Sequence, residues 1–318
     1  MAKAKVTIHP PFIFNVYKPA GVGSSDVVRH FKYHLPTGFG KIGHLGTLDP
    51  FAEGVLLLSI AGASRLSNYL HETYPKTYEA IGRVGQFYDT GDTTGTPVSK
   101  PLESLPNLDL QSLNRVASIF YGDYLQAPPM YSATKHQGKP LYKYAREGVK
   151  IEKKPVERHI YSFKVQKIVE NNIHFECTVS SGTYIRVLFE DFCKKLNISG
   201  ALSNLKRTKI GPFGYKDSIS EELWPKRGEQ AFSKYIENWG RGAMCPGLDL
   251  CQKQHYLSPT EWFNFKNGML IECSNEKSVE FSNSGPIGIF SPSGRVSALA
   301  NYQDNTLVPF IRFSPFLD

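Results

Sequence analysis

The clearest hydrophobic pattern in the chain lies between residues 159 and 196. Apolar and polar residues alternate one by one around a Glu-Asn-Asn turn, so residues 159–182 are predicted to form a β-hairpin that buries one face. Residues 183–196 instead repeat their apolar positions at helical spacing and predict an amphipathic helix. The predicted inward residues are Ile173, Phe175, Cys177 and Val179 in the hairpin, and Ile185, Leu188, Phe189, Phe192 and Leu196 in the helix.

Shorter elements are predicted on the N-terminal side of this hairpin. The segment FIFNVYKP reads as a strand that ends at Pro19, a helix begins at Ser24 or Ser25, and VLLLSIAG is a buried strand. Another helix is predicted at 111–120, with one apolar face formed by Leu113, Val116, Ile119 and Phe120. Strands and helices that alternate in this way predict an α/β or α+β fold with a mixed sheet.

The last part of the chain has a different pattern. After an irregular, partly helical region at 216–250, β-like segments such as SVEFSN (278–283), IGIFSP (287–292) and LVPFIRF (307–313) are separated by Gly, Pro, Ser and Asn. We therefore expect two domains, a larger one at 1–250 and a small β-rich one at 251–318.

The charge of the chain indicates an anionic partner. Lys and Arg outnumber Asp and Glu by 37 to 29 in 318 residues, and the pI is about 9.1. This balance favours a nucleic acid or a membrane surface, although a merely basic protein fits the composition equally well. The segment 124–158 is basic, aromatic and rich in Pro, and we expect it to protrude from the core.

The cysteine spacing argues against a metal site. The five cysteines contain no Cys-x-x-Cys pair, so neither a metal centre nor a disulfide framework is expected, and a reducing cytoplasm fits. The N-terminus has no long apolar segment, and the longest apolar run, VLLLSIAGA, is far shorter than a bilayer span. We expect a cytoplasmic protein without a membrane segment.

A Gly-rich stretch, GHLGTLDPFAEG (43–54), contains the most conspicuous candidate for chemistry. It places Asp49 in a tight turn directly before the buried strand. Asp-Pro in such a loop is often only a turn, and on local grounds that interpretation is favoured. His44, between two glycines, is a candidate contact residue or acid–base group. The Asp-Thr-Gly at 89–91 has no second copy, so the paired carboxylates of an aspartic protease are not expected.

Six stretches, one of them the stretch around Asp49, decide the interpretation of this residue. These are NVYKPAGVGSSDVV, GHLGTLDPFAEGVL, KTYEAIGRVGQFYDTGDTTG, QAPPMYSATKHQGKPLYKYAREG, SGTYIRVLFEDF and LSNLKRTKIGPF. In the same order and with similar spacing, from about residue 12 to 213, they resemble the bacterial tRNA pseudouridine synthase B family. Members of this family isomerise uridine 55 in the TΨC loop of tRNA. The resemblance implies a pseudouridine synthase fold, with a largely antiparallel mixed sheet flanked by helices, and a PUA-like C-terminal RNA-binding domain.

The resemblance also implies a catalytic set. Asp49 matches the family aspartate, which either attacks C1′ as a nucleophile or takes the C2′ proton on a glycal route. Arg186 matches the arginine that pairs with this aspartate. Its place in the first turn of a helix disfavours a cation, which itself points to a specific partner. Tyr78 matches the tyrosine that stacks on the target base. No metal, redox cofactor or small-molecule cofactor is implied.

Further residues are implied to contact the RNA. His44 matches a loop histidine near the vacated base stack, and Tyr184 and Leu205 match pocket positions that contact the flipped nucleotide. The basic excursion resembles the RNA-gripping insertion of the family, and the run KRTK adds a second phosphate contact. The implied phosphate-contacting residues are Lys135, Lys139, Lys143, Arg146, Lys206 and Arg207. The expected partner is tRNA, and we expect a monomer.

Two other classes of function stay open at this point. A non-catalytic RNA-binding or tRNA-folding protein would use the same clefts, although binding alone has no need for a buried, ionised aspartate. A glycoside hydrolase would also use an aspartate, but its chemistry requires a second carboxyl group, and the stretch around Asp49 offers none.

Overall fold

The computed structural model describes residues 9–35, 41–98, 100, 109–149, 151, 153–226, 232–282 and 284–313. Residues 1–8, which bear on the expectation about an export signal, lie outside the described residues. The α-helices are α1 (Ser24–His34), α2 (Ser67–Thr73), α3 (Leu110–Ser118), α4 (Leu141–Arg146), α5 (Ile185–Lys195), α6 (Phe232–Trp239), α7 (Pro246–Asp249), α8 (Pro259–Lys266) and α9 (Asn275–Phe281). Short 3₁₀ helices lie at Ala61–Leu66, Tyr215–Asp217, Glu221–Leu223 and Gly240–Gly242.

The strands fall into one large sheet, one smaller sheet and one short hairpin. In chain order they are β1 (Phe12–Lys18), β2 (Ile42–His44), β3 (Glu53–Ile60), β4 (Lys76–Val84), β5 (Gly122–Gln126), β6 (Lys135–His136), β7 (Lys139–Pro140), β8 (Val156–Val169), β9 (Asn172–Val179), β10 (Gly200–Ile210), β11 (Phe213–Gly214), β12 (Ala243–Met244), β13 (Lys253–Tyr256), β14 (Ile271–Glu272), β15 (Ile287–Phe290), β16 (Val296–Gln303) and β17 (Thr306–Arg312).

The ten-stranded large sheet has the strand order β12-β1-β3-β10-β4-β9-β8-β5, with β2 against β3 and β11 against β10. Its neighbours pair antiparallel, except that β3 and β10 pair in parallel through Glu53–Lys206 and Gly54–Arg207. The predicted mixed, largely antiparallel sheet is therefore confirmed. The parallel contact brings the start of β3, just after Asp49, beside the centre of β10.

The predicted hairpin and its following helix are both present, as β8–β9 and α5. The inward residues of β9 are buried, and so are Leu188, Phe189 and Phe192 of α5. Phe189 packs so closely on the sheet that a Cβ at Gly82 would lie 1.9 Å from its ring. Helices α3 and α5 cover this part of the sheet and close its main apolar core. The core thereby fixes the position of the loop before α5, which reaches the candidate site.

Two sequence predictions about individual elements were wrong. Helix α3 ends at Ser118, so Ile119 falls outside the helical repeat and is 63% exposed, while the buried helix residues are Leu113 and Ala117. The segment SVEFSN was read as β-like, but its described residues belong mostly to α9. Its apolar residues do not share one face of a strand, because Phe281 is buried and Val279 is 80% exposed.

The other end of the large sheet is covered on both faces. Helices α1 and α6 pack on one face of β1 and β3. On the opposite face, residues of β1 and β3 share a cluster with the second sheet, whose strand order is β13-β15-β16-β17-β14. This second sheet also has an apolar core of its own with α8 and α9. Among the described helices, none is both long and apolar enough to cross a membrane.

Candidate active site

The turn that carries Asp49 is held by hydrogen bonds to the start of α1 on one side and by a bond within the turn on the other. The Ser24 hydroxyl donates to the Leu48 carbonyl at 2.8 Å and accepts from the Leu48 N–H at 2.9 Å. The Ala52 N–H closes the turn by donating to the Asp49 carbonyl at 3.1 Å. Because the backbone is fixed on either side of Asp49, its carboxylate has a defined direction.

Lys18 also stabilises the turn that carries Asp49. Its buried ammonium donates to the carbonyls of Pro19, Val22 and Pro50 at 2.8, 2.7 and 3.3 Å. Burial and the nearby Arg207 guanidinium lower the pKa of Lys18 to about 8, and the Asp49 carboxylate opposes part of this decrease. The lysine therefore ties together the two loops that lie beside Asp49.

Asp49 and Arg186, which the resemblance pairs, lie in contact. The Arg186 Nε donates to Asp49 Oδ2 at 2.8 Å, and the side chains are 4% and 30% exposed respectively. The other nitrogens of Arg186 donate to the carbonyls of Thr90 and Tyr131 at 2.5 and 2.9 Å. These three partners explain why a cation sits in the first turn of α5, where the helix dipole disfavours it. One oxygen of Asp49 is oriented in this way and the carboxylate stays partly accessible.

Tyr78 lies in the middle of β4 and is only 6% exposed. Its strand partners are Cys177 of β9 and Arg207 of β10. Burial raises the pKa of the Tyr78 hydroxyl, and the Arg207 guanidinium offsets part of this increase. The hydroxyl is therefore neutral near pH 7, so it is able to donate a hydrogen bond and its ring is an apolar surface.

A cavity of about 200 Å³ joins these residues. Of the sequence-predicted residues, Asp49, Tyr78, Tyr184, Leu205 and Arg207 line it, together with Gly46, Thr47, Leu48, His71, Lys76, Ala133, Gly182, Thr183 and Ile185. Tyr184 is fixed because its hydroxyl bonds the Thr134 hydroxyl at 2.9 Å and its main chain bonds both ends of the Gln126 amide. The cavity thus has a carboxylate, a tyrosine hydroxyl, basic side chains and apolar walls.

His44 lies on β2, outside the lining of this cavity. Its Nδ1 is buried and has no hydrogen-bond partner among the described residues. Burial lowers the pKa of the imidazole, and the Arg207 guanidinium adds to this decrease. His44 is therefore a neutral ring near the Asp49 turn.

The structure corrects the prediction that Arg207 contacts phosphate. Arg207 is 1% exposed, and its guanidinium nitrogens donate to the carbonyls of Val55, Thr47 and Gly46 at 2.8, 3.2 and 3.3 Å. These bonds hold the backbone before Asp49, so Arg207 is a support of the turn and not a surface cation. Its neighbour Lys206 faces the other side, with Nζ 4.0 Å from the centre of the Tyr215 ring.

The basic excursion reaches the site instead of only protruding from the core. Its residues Tyr131 and Thr134 bond Arg186 and Tyr184, as given above, and Ala133 lines the cavity. Beyond these anchors, Lys135, Lys143 and Arg146 are exposed. Lys139 differs, because its ammonium is paired with Glu147 at 2.5 Å. The excursion therefore carries exposed cations and also contributes to the wall of the cavity.

Sequence reasoning missed several residues at the site, above all Ser24, Lys18, His71 and Lys76. The alternation of β4 could have revealed Lys76, because it lies two residues before Tyr78 and so faces the same side of the sheet. The other three have no local signal, since their partners are distant in sequence. In the part of the chain that the structure describes, no group of three or more His, Cys, Asp or Glu residues is arranged to hold a metal ion.

Comparison with known proteins places this geometry in a family. Residues 33–185 match the model of the TruB family pseudouridylate synthase (N terminal domain). The chain is 37% identical over 203 residues to tRNA pseudouridine synthase B of Bordetella avium (strain 197N), covering 64% of this chain and 82% of that protein. It is 40% identical over 280 residues to tRNA pseudouridine synthase B of Thermosipho melanesiensis, covering 82% and 88% of the two chains.

A solved structure supports the fold independently. The crystal structure of a Cbf5-Nop10-Gar1 complex contains a chain that superimposes with a TM-score of 0.62 at 20% identity, covering 96% of this chain and 85% of that chain. The family-model match includes Asp49 and Tyr78 and ends one residue before Arg186, whose guanidinium bonds the Asp49 carboxylate. By sequence, this chain belongs to the TruB family of pseudouridylate synthases.

Proposed function

We propose that this protein isomerises uridine to pseudouridine in tRNA, with uridine 55 of the TΨC loop as its target. The relatives named tRNA pseudouridine synthase B support the tRNA substrate. The observation that carries the proposal is the Asp49 carboxylate, oriented by Arg186 at 2.8 Å, in a cavity that also contains Tyr78. Because the substrate is tRNA, we place the activity in the cytoplasm.

The reaction breaks the bond between C1′ and N1 of the uridine and forms a bond between C1′ and C5. The proton on C5 leaves and N1 gains a proton, so the composition of the RNA is unchanged and no reagent is consumed. Asp49 acts either by attacking C1′ as a nucleophile or by taking the C2′ proton, and both routes need an ionised carboxylate. Arg186 supplies the counter-ion and prevents rotation of the carboxylate.

The remaining site residues have binding roles in this proposal. Tyr78 stacks on the uracil and, being neutral, is available to donate a proton or a hydrogen bond; a stacked ring contributes about 1–3 kcal/mol. Tyr184 and Leu205 form the other walls around the flipped base. His44, with its neutral imidazole, takes a position near the gap that the base leaves in the RNA.

The rest of the RNA is held by basic surfaces. Lys135, Lys143 and Arg146 contact phosphates on either side of the cavity, while Lys139 and Lys206 contribute less because Glu147 and Tyr215 already engage them. We assign 1–250 to the catalytic domain and 251–318 to a PUA-like domain that binds the acceptor arm. A monomer provides both surfaces, so no second copy is required.

The test is to incubate the purified protein with an unmodified tRNA transcript and to map pseudouridine with carbodiimide. We expect one new reactive position, at 55, with no change in RNA mass. A transcript with cytidine at this position is the control and should stay unmodified. A transcript that is bound but never converted would instead favour a tRNA-folding or RNA-binding role, which the basic surface also supports.

A further inference from the structure

One corner of the cavity carries cations that have no acidic partner. Lys76 is 6% exposed, and its ammonium donates to the Ser181 hydroxyl at 3.1 Å. The His71 Nδ1 bonds the same hydroxyl. Among the described residues, no carboxylate lies within ion-pair distance of Lys76 or of Arg158, whose guanidinium is close enough to influence Lys76. Asp49, the carboxylate of the cavity, is already paired with Arg186.

Two glycines leave this corner open. A Cβ at Gly46 would lie 3.4 Å from Lys76 Nζ and 3.8 Å from His71 Cε1. A Cβ at Gly182 would lie 3.0 Å from Nη2 of Arg158. Both glycines line the cavity and both have positive φ, so other residues would be strained there. Lys76 and His71 therefore line the cavity, and the Arg158 guanidinium lies against Gly182 at its edge.

A buried lysine without an acidic partner is costly. Burial, together with the guanidinium groups of Arg207 and Arg158, lowers the pKa of Lys76 to about 7. The simplest explanation for the buried lysine is that it is neutral and bonded to Ser181. That explanation accounts for Lys76 alone, because it gives no reason for His71 and Arg158 to gather at the same opening. An anion in this corner would offset the repulsion between Lys76 and Arg158 and would also be within reach of the His71 imidazole.

We propose that Lys76, His71, Ser181 and Arg158 form a subsite for one backbone phosphate next to the target uridine. The inference rests on the proposed function, since a flipped nucleotide whose sugar faces Asp49 carries its two phosphates only a few bonds away. An ammonium, a hydroxyl, an imidazole N–H and a guanidinium are donors that match the acceptor oxygens of a phosphodiester. Lys76 lies on the same strand face as Tyr78, so base and phosphate would be bound from one strand.

The test uses an RNA hairpin of the TΨC arm with one neutral methylphosphonate linkage, placed either 5′ or 3′ of the target uridine. The nucleotide on the 5′ side of that linkage carries a 2′-O-methyl group, so that the linkage is stable. The reference RNA has phosphates at every position and carries the same 2′-O-methyl group. Dissociation constants are measured for the wild type, for Lys76→Met and Arg158→Gln, and for Lys167→Met, which removes an exposed lysine from β8. Thermal unfolding checks that each variant is folded.

We expect one of the two neutral linkages to weaken wild-type binding about 10- to 100-fold, the usual effect of losing hydrogen bonds to a charged group. Lys76→Met and Arg158→Gln should bind the all-phosphate RNA more weakly than the wild type does. Introducing the neutral linkage should weaken the binding of these variants only a little further. Lys167→Met should behave as the wild type. Non-additive losses of this kind show that the lysine and the phosphate are in contact.

The proposal is overturned if neither linkage weakens wild-type binding, or if the losses from linkage and variant simply add. It is also overturned if inorganic phosphate binds at Lys76 and Arg158 while neither neutral linkage weakens RNA binding. The subsite would then bind free anions only. If the wild-type protein shows this contact but never converts uridine, the proposed activity is rejected and the subsite is retained. If uridine is converted normally but the contact is absent, only the subsite is rejected.

Discussion

At the scale of single residues, the site depends on buried cations that bond to backbone carbonyls. Arg207 is the clearest example, because its guanidinium holds the carbonyls of Gly46, Thr47 and Val55 while it is 1% exposed. Lys18 does the same for Pro50. Such groups stabilise the loop through charge-assisted hydrogen bonds, and their removal leaves buried carbonyls without donors.

Arg207→Met should therefore destabilise the whole chain. The loss of hydrogen bonds from a charged group to three carbonyls lowers the free energy of unfolding by on the order of 3 kcal/mol. Urea denaturation measures this change. The control is Lys209→Met, which removes an exposed cation from the same strand and should change stability by less than about 0.5 kcal/mol. Equal stabilities for the two variants would show that Arg207 does not support the turn.

The pH dependence of substrate binding should reflect Lys76. Its pKa of about 7 means that it is charged below pH 7 and neutral above, and only the charged form binds phosphate well. Arg207 and Arg158 also face the Lys76 ammonium, and His71, whose pKa burial lowers, is neutral above pH 7. The KM for tRNA should rise above pH 7, by at most about tenfold per pH unit. In Lys76→Met the KM should be flat, and a flat wild-type profile would contradict the assignment.

At the scale of helices and strands, the structure shows which features could be predicted from local sequence patterns. The alternation in 159–182 located β8 and β9 correctly, because each strand buries one face. The error about Arg207 came from reading KRTK as a surface run. Leu205 already points inward, so a period of two places Arg207 inward as well. Asp49 and Arg186, which are 137 residues apart, could be paired only through the family resemblance.

The contact between α1 and the Asp49 turn should affect catalysis more than binding. Ser24→Ala removes both hydrogen bonds to Leu48 and leaves the turn free to shift. We expect kcat to fall about 10-fold or more, because a small misplacement of a catalytic group is costly, while KM changes little. The free energy of unfolding should decrease by about 1–3 kcal/mol. An unchanged kcat with this loss of stability would mean that Ser24 is structural only.

At the scale of the whole molecule, one face combines the cavity with exposed cations. The excursion at 124–158 is anchored at the cavity by Tyr131 and Thr134 and presents cations beyond it. The second sheet packs against the large sheet through a shared apolar cluster, so its position relative to the cavity is fixed by burial. A long, folded RNA fits such an arrangement better than a small molecule does.

The salt dependence of tRNA binding should report the cations of the excursion. Replacing Lys135, Lys143 and Arg146 by Gln removes three exposed charges next to the cavity. The slope of log Kd against log salt should decrease by about 2–3, since each phosphate contact contributes a little less than one. The matched control replaces the exposed Lys164, Lys167 and Lys195 by Gln. If both triple variants change the slope equally, only net charge matters and the excursion does not hold phosphates.

The most direct measurement of the central claim compares Asp49→Asn with the wild type on unmodified tRNA, under single-turnover conditions. Asparagine keeps the shape of the side chain, and its amide oxygen can still accept from Arg186, so the fold and tRNA binding should be retained. Without the carboxylate, pseudouridine formation at position 55 should fall by at least about 10²–10⁴-fold. Conversion by the Asp49→Asn variant at close to the wild-type rate would contradict the account.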